Sequence, residues 1–290
     1  MSSIEGPLYA EVSGSDDADL MVFVHPNPQD RSSWMYQVAH FSHWYRCIAI
    51  DLPGYGFSPT ARQGVTMPDL AEAVWDAVDR LAPGRKAILV GCSVGGAVAQ
   101  HMYHLRPQKT DALVISGKGW EARKDFVAPR VASFKKFGIG HRYEYTLETF
   151  SQEFRRTPIA QWFAGLFAER NDSADLDSIL HIFDALEVPD PDWLQRDLLA
   201  PVLVISGDQD RAHASAFVLR DRLPNAEIVT LTGAGHACHI EQPWEFDAAI
   251  LGFLRMQGLL QLPNGLKQTE SAPVTTPILS NARVPYSRND

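Results

Sequence analysis

The sequence predicts an α/β protein built on a doubly wound, mostly parallel sheet, and three observations predict it. Short apolar runs of strand length alternate with segments whose apolar residues recur every three or four positions. One long interval, from Lys118 to about Ala200, breaks that alternation without supplying a convincing strand. A glycine-flanked serine, Ser93, stands where a strand pattern gives way to a helix pattern.

The elements follow in order. LMVFV (20–24) is continuously apolar, which suits a strand covered on both faces, and RCIAIDL (46–52) repeats the pattern. TMPDLAEAVWDAVDRL (66–81) carries its apolar residues at helical spacing. KAILV (86–90) leads into the helical GGAVAQHMYHL (95–105), and DALVIS (111–116) closes the first part. PVLVIS (201–206), HASAFVLRDRL (213–223) and AEIVTL (226–231) resume strand, helix and strand. This is the rhythm of βαβ units.

The interval between them holds aromatic-rich segments such as ETFSQEF and IAQWFAGLF, which read as helices. Ligands of such sheets bind outside the carboxyl ends of the strands, so an insertion leaving from the end of DALVIS is placed to cover a site. A packed helical extension with no lid role is the alternative. After Leu262 four prolines and few large apolar residues read as a flexible tail or one draped over the core. The expected organisation is a core of 1–117 and 201–262, a helical cap of 118–200 and a tail of 263–290.

With 45% hydrophobic and 21% charged residues, a chain of 290 residues can bury a sizeable core. Its net charge of -9 repels polyanions, so neither nucleic acid nor an anionic membrane is an expected partner. The basic stretch Arg123 to Lys136 is interleaved with Asp125 and apolar residues, as on a solvated helix face. The first residues lack a basic start followed by an apolar run, and no stretch approaches the ~18 apolar residues that span a bilayer, so a cytoplasmic location is expected. Cys47, Cys92 and Cys238 are odd in number and not spaced as metal ligands, which fits free thiols and no zinc.

Ser93 lies in GCSVG, a match to GxSxG with a strand before it and a helix after it. In a sharp strand-to-helix turn Gly91 and Gly95 leave room where a β-carbon would collide, and the turn lifts the hydroxyl out of the sheet. The helix N-terminus supplies unpaired N–H groups suited to developing negative charge. The same glycines could serve only to pack a helix closely on a strand. A serine nucleophile needs a histidine base and a carboxylate to orient it. Asp208 and Asp210 follow PVLVIS, and His236 follows AEIVTL, so all lie at strand carboxyl ends in the order serine, aspartate, histidine.

With VHPNP (24–28), IDLPGYGFS (50–58), GDQD (207–210) and GAGHACHIEQPWEF (233–246), the sequence resembles the α/β-hydrolase family over about residues 8 to 260. The resemblance implies that fold, with its cap inserted after the sixth strand, and a catalytic triad of Ser93, Asp210 and His236. In the family the acid stands three residues after the strand-ending glycine, which selects Asp210 over Asp208; the alternative acid position holds Gly117. It implies an oxyanion hole made by the Val94 amide and one from the HPNP loop. Because Pro26 and Pro28 have no N–H, that loop leaves Asn27 as the donor. His25 would orient the loop.

HPNP is also similar to the HGNP of haloalkane dehalogenases, but those enzymes and the epoxide hydrolases use an aspartate where this chain has Ser93. Hydroxynitrile lyases need a pocket lysine beside the acid and histidine, and none is expected near Asp210 or His236. Carbon–carbon hydrolases of ring-fission products often have asparagine before the serine and tryptophan after the histidine; Cys92 and Ala237 stand here. Cys92 and Cys238 read as small apolar packing. Trp34 and Trp120, near strand ends, are expected as substrate-binding walls, while Trp162, Phe163 and Trp193 are expected to pack as core. The expected activity is hydrolysis of a small or medium carboxylic ester, lactone or thioester with no cofactor or metal. A ring-fission hydrolase and a noncatalytic ligand binder are the alternatives.

Overall fold

A computed structural model describes residues 3–120 and 124–260. Seven strands form one sheet in the order β1-β3-β2-β4-β5-β6-β7. They are β1 (Ala10–Ser13), β2 (Leu20–Val24), β3 (Arg46–Ile50), β4 (Ala87–Cys92), β5 (Thr110–Ser116), β6 (Val202–Gly207) and β7 (Ala226–Leu231). All neighbours run parallel except β1, which pairs antiparallel with β3. The six apolar runs are all strands. β1 carries no apolar run because it is a half-exposed edge strand, and the sequence gives it no signal.

The helices of the first part are α1 (Met35–Phe41), α2 (Met67–Leu81) and α3 (Val94–Leu105). Alternation along the strands sorts the core into two layers. Val22, Val24, Leu89 and Ile115 face a cluster that includes Leu70, Val74 and Trp75 of α2. Met21, Phe23, Val90 and Val114 face the other side, with Phe41 of α1. Helix α2 starts at a capping box, in which Thr66 Oγ1 accepts from the Asp69 amide at 3.3 Å and Asp69 accepts from the Thr66 amide at 2.9 Å. Trp75 then fixes α2 to α3 by donating its indole N–H to the Met102 carbonyl at 2.8 Å.

Between β5 and β6 the described chain is helical: α4 (Lys124–Phe137), α5 (Arg142–Glu148), α6 (Pro158–Ala168), α7 (Leu176–Leu186) and α8 (Trp193–Arg196). The insertion therefore leaves after the fifth strand in this chain's own count, not the sixth of the family's. IAQWFAGLF forms α6, but ETFSQEF does not form a helix; α5 stops at Glu148, and Thr149–Gln152 turn a corner. The chain ends its described part with α9 (His213–Arg222), α10 (Cys238–Glu241) and α11 (Pro243–Met256), whose Phe246, Ile250 and Phe253 complete the second layer. The expected tail, 263–290, lies outside the described residues. No described helix is long and apolar enough to cross a membrane.

Register brings the strand ends to a common rim. Val24 pairs with Gly91, Cys92 with Ser116, and Gly207 with Leu231. The HPNP loop, the Ser93 turn, Gly117 and the Asp210 loop thus leave the sheet on one side.

Candidate active site

Ser93 has φ 55° and ψ -116°, and it is the one non-glycine among the described residues with positive φ. A side chain tolerates that conformation only when the surroundings over-determine it. Here they do. A β-carbon on Gly91 would lie 2.3 Å from the Gly95 carbonyl oxygen, and one on Gly95 would lie 2.0 Å from the Val24 carbonyl oxygen. The Ser93 amide donates to the Ser116 carbonyl at 2.8 Å, while the Ser93 carbonyl accepts from Gly96 and Ala97 at 3.0 and 3.1 Å. The strand must therefore turn into α3 within one residue. Every residue from Ala87 to Tyr103 is buried except Ser93. The Val94 amide opens α3, where N–H groups have no intrahelical acceptor.

The acid and the histidine come together. His236 Nδ1 lies 3.1 and 3.0 Å from the two carboxylate oxygens of Asp210, so Nδ1 carries the proton and Nε2 the lone pair. Burial pushes the Asp210 carboxyl up, but the charge and hydrogen bond of His236, the Ala212 amide and the Arg130 charge outweigh it and hold the group below the usual carboxylate range. Gly117 makes room for the ring: a β-carbon there would meet the His236 carbonyl oxygen at 3.0 Å, Cys92 Sγ at 3.1 Å and His236 Cε1 at 3.2 Å. The imidazole thus packs beside Cys92, the residue before Ser93. Asp208 instead accepts from the Gly233 amide at 2.7 Å, which ties its loop to the one after β7.

In the HPNP loop, His25 Nδ1–H donates to the Pro26 carbonyl at 3.0 Å and Nε2 accepts from the Leu52 amide at 2.9 Å. Accepting requires a neutral ring, and burial lowers the His25 pKa to about 4 against the Pro26 hydrogen bond and the Asp30 charge. The Tyr55 hydroxyl donates to Asn27 Oδ1 at 2.5 Å. The loop is therefore held from both sides, with Asn27 buried at its tip.

Of the two expected walls, burial rules out Trp34. Trp34 has no exposed surface and packs on Phe23, His239 and Phe246 in the second core layer, so its ring lines no space that even water enters. Trp120 turns to α9, where its amide donates to Ser215 Oγ at 3.0 Å and the Arg222 guanidinium lies 4.0 Å from its ring. Phe163 is core, but Trp162 and Trp193 are 51% and 42% exposed. Proximity to a strand end does not say which way a ring turns. Burial raises the Cys92 thiol to about 12, which removes it as a nucleophile at neutral pH.

Two buried charged residues near these loops carry no signal in the apolar periodicity. Lys118, next to Gly117, is buried with its ammonium 3.1 Å from Asp190 and 3.1 Å from the Gly119 carbonyl. Arg142 of α5, 1% exposed, donates to the Pro28 carbonyl at 2.6 Å and to Asp30 at 3.1 Å.

Residues 21–246 match a family described as the alpha/beta hydrolase family. The chain belongs to it. Among curated relatives, this hydrolase is 33% identical over 126 residues to "Epoxide hydrolase 1" of Caenorhabditis elegans, covering 43% of this chain and 28% of that protein. It is 26% identical to the "Dihydrolipoyllysine-residue acetyltransferase component of acetoin cleaving system" of Pseudomonas putida, covering 83% of this chain and 65% of that protein. The chain thus spans less than two thirds of the length of both. It is 24% identical to the "Pimeloyl-[acyl-carrier protein] methyl ester esterase" of Xylella fastidiosa, covering 85% of this chain and 98% of that one. The solved enol-lactonase of Burkholderia xenovorans LB400 shares the fold, with a TM-score of 0.76 at 21% identity over 86% of this chain and 96% of that one.

Proposed function

We propose that the protein is a serine hydrolase that cleaves a small or medium carboxylic ester, lactone or thioester through an acyl-enzyme on Ser93. His236 Nε2 takes the Ser93 proton as the hydroxyl attacks the carbonyl carbon, and Asp210 holds the imidazole and its developing charge. The amides of Val94 and Asn27 stabilise the oxyanion, each worth about 3 kcal/mol of transition-state stabilisation. The leaving alcohol or thiol takes the proton from His236. Water, deprotonated by the same ring, then attacks the acyl carbon and frees Ser93. The helices between β5 and β6 act as a cap over the site.

One observation carries the reading. The only partly exposed residue in a buried run of strand and helix is a strained serine, and an aspartate-bound imidazole packs beside its neighbour Cys92. The methyl ester esterase supports the ester class, since the alignment covers nearly all of its length. The nematode epoxide hydrolase matches only part of this chain, and the family's epoxide chemistry uses an aspartate where Ser93 stands.

A panel of p-nitrophenyl esters, lactones and ring-fission dienone acids, assayed on wild type and Ser93→Ala, tests the reading. Ester or lactone turnover that falls by about three or more orders of magnitude in the variant is the expected result. Turnover unchanged by Ser93→Ala, or confined to the dienone acid, overturns it.

A further inference from the structure

Three loops would carry the chemistry proposed above: the oxyanion loop 25–30, the acid loop 207–212 and the histidine loop 233–241. They come from distant parts of the sequence, yet one short piece of the insertion touches all three. The Thr149 carbonyl accepts from the Ala237 amide at 3.0 Å. Thr149 Oγ1 accepts from Gln29 Nε2 at 3.4 Å while donating to the Thr146 carbonyl at 2.6 Å. The Gln152 amide donates to Gln209 Oε1 at 3.4 Å.

The Glu241 carboxylate closes the arrangement. Its Oε2 accepts from the Ser151 amide and from the Gly235 amide, both at 3.0 Å, and its Oε1 accepts from the Ser151 hydroxyl. One anion therefore ties the residue before His236 to the insertion corner through charge-assisted bonds. The fit is tight, because a β-carbon on Gly235 would lie 2.6 Å from the Phe150 carbonyl carbon and the Ser151 nitrogen. Phe150, Ala237 and Ile240 share an apolar cluster behind it.

Arg142 does the same for the oxyanion loop. Its Nε and Nη2 donate to the Pro28 carbonyl and Asp30, and its Nη1 donates to the Phe167 carbonyl of α6 at 2.8 Å. The guanidinium lies 5.3 Å from the ring centre of Tyr55, whose hydroxyl holds Asn27. A fully buried arginine spends three donors on Pro28 and Asp30, just after the oxyanion loop tip, and on its own insertion.

We propose that the segment Arg142–Gln152 is a fixed brace of the catalytic machinery, with Arg142 and Glu241 as positioning residues that set the oxyanion loop against the histidine loop. The inference rests on the serine-hydrolase reading. A displacement of about 1 Å between reacting groups costs on the order of 100-fold in rate, and a brace of this kind limits such displacement. Any opening of the cap then takes place elsewhere in the insertion.

The test measures kcat and KM per Ser93 titrated with an organophosphate, beside thermal melting, for wild type, Glu241→Ala, Glu241→Gln and Arg142→Lys. The brace predicts that Glu241→Ala and Arg142→Lys lower kcat about 10- to 100-fold per titrated site with KM changed less than about threefold. Glutamine still accepts both backbone N–H groups, so Glu241→Gln returns kcat to within about threefold of wild type. A merely structural role lowers melting temperature and the titrated fraction but leaves kcat per site unchanged, and that result overturns the proposal. If Arg142→Lys does not fold, the Glu241 pair decides alone. A wild type inactive on every ester would instead sink the underlying reading, and Ser93→Ala distinguishes the two failures.

Discussion

The elbow at Cys92–Gly96 and the corner at Thr149–Gln152 both position the candidate chemistry, and they do so by opposite means. The elbow is held by backbone sterics within its own turn and the adjoining strand, with Gly91 against Gly95 and Gly95 against Val24. The corner is held by hydrogen bonds to Gln29, Gln209, Ala237 and Glu241, from 57 to 120 residues away along the chain. Local sterics restrict which residue types can stand in a turn, whereas a tertiary hydrogen bond can be made by almost any backbone group. The first leaves a motif in the sequence and the second leaves none.

The largest effect is expected of Ser93→Gly. Glycine relaxes the φ of 55°, so the variant is expected to lose at least about 1,000-fold in kcat while gaining about 1 kcal/mol of stability in a denaturant melt. A loss of stability would mean the elbow is not strained. Next in size, Gly95→Ala forces a β-carbon to within 2.0 Å of the Val24 oxygen, and a loss of more than about 3 kcal/mol is expected in the same melt.

Acid acts on the loops beside these two regions. His25 has a folded pKa of about 4 against 6.5 unfolded, so the unfolded chain binds the extra proton between those values. Its stabilising contribution is complete above pH 6.5 and is lost as pH falls through that window, up to about 3 kcal/mol. Urea melts at pH 7, 5.5 and 4 should show this fall, and His25→Gln, which does not titrate, should make it shallower. Asp210, held below its ordinary range by His236, adds a further loss at lower pH as its carboxylate is protonated in the unfolded chain first. The smallest expected effect is at the corner, where Gly235→Ala displaces Phe150 and Ser151. About 2 kcal/mol of stability and about tenfold in kcat per titrated site should go, less than at the elbow because the clash is at 2.6 Å rather than 2.0 Å.

The strands were legible because parallel strands buried on both faces are runs of apolar residues, and all six runs became strands. Edge strand β1 was not, since an exposed strand needs no such run. ETFSQEF read as helix because its composition suits one. The Ser151 and Gln152 amides go to Glu241 and Gln209 instead, and those acceptors are invisible to local propensity. Trp34 read as a pocket wall because it follows the HPNP loop, yet the short helical turn that carries it points it into the second core layer.

By itself the sequence determined the sheet, the elbow and the order of serine, acid and histidine, because each rests on constraints among neighbouring residues: burial of continuous runs, and room for a β-carbon. The resemblance to the family selected Asp210, but where the tryptophans turn and how the insertion grips the core emerged in three dimensions alone. Those outcomes depend on distances between parts of the chain that no local pattern encodes. They are fixed only once the strand ends reach a common rim and the buried polar groups find their partners across it.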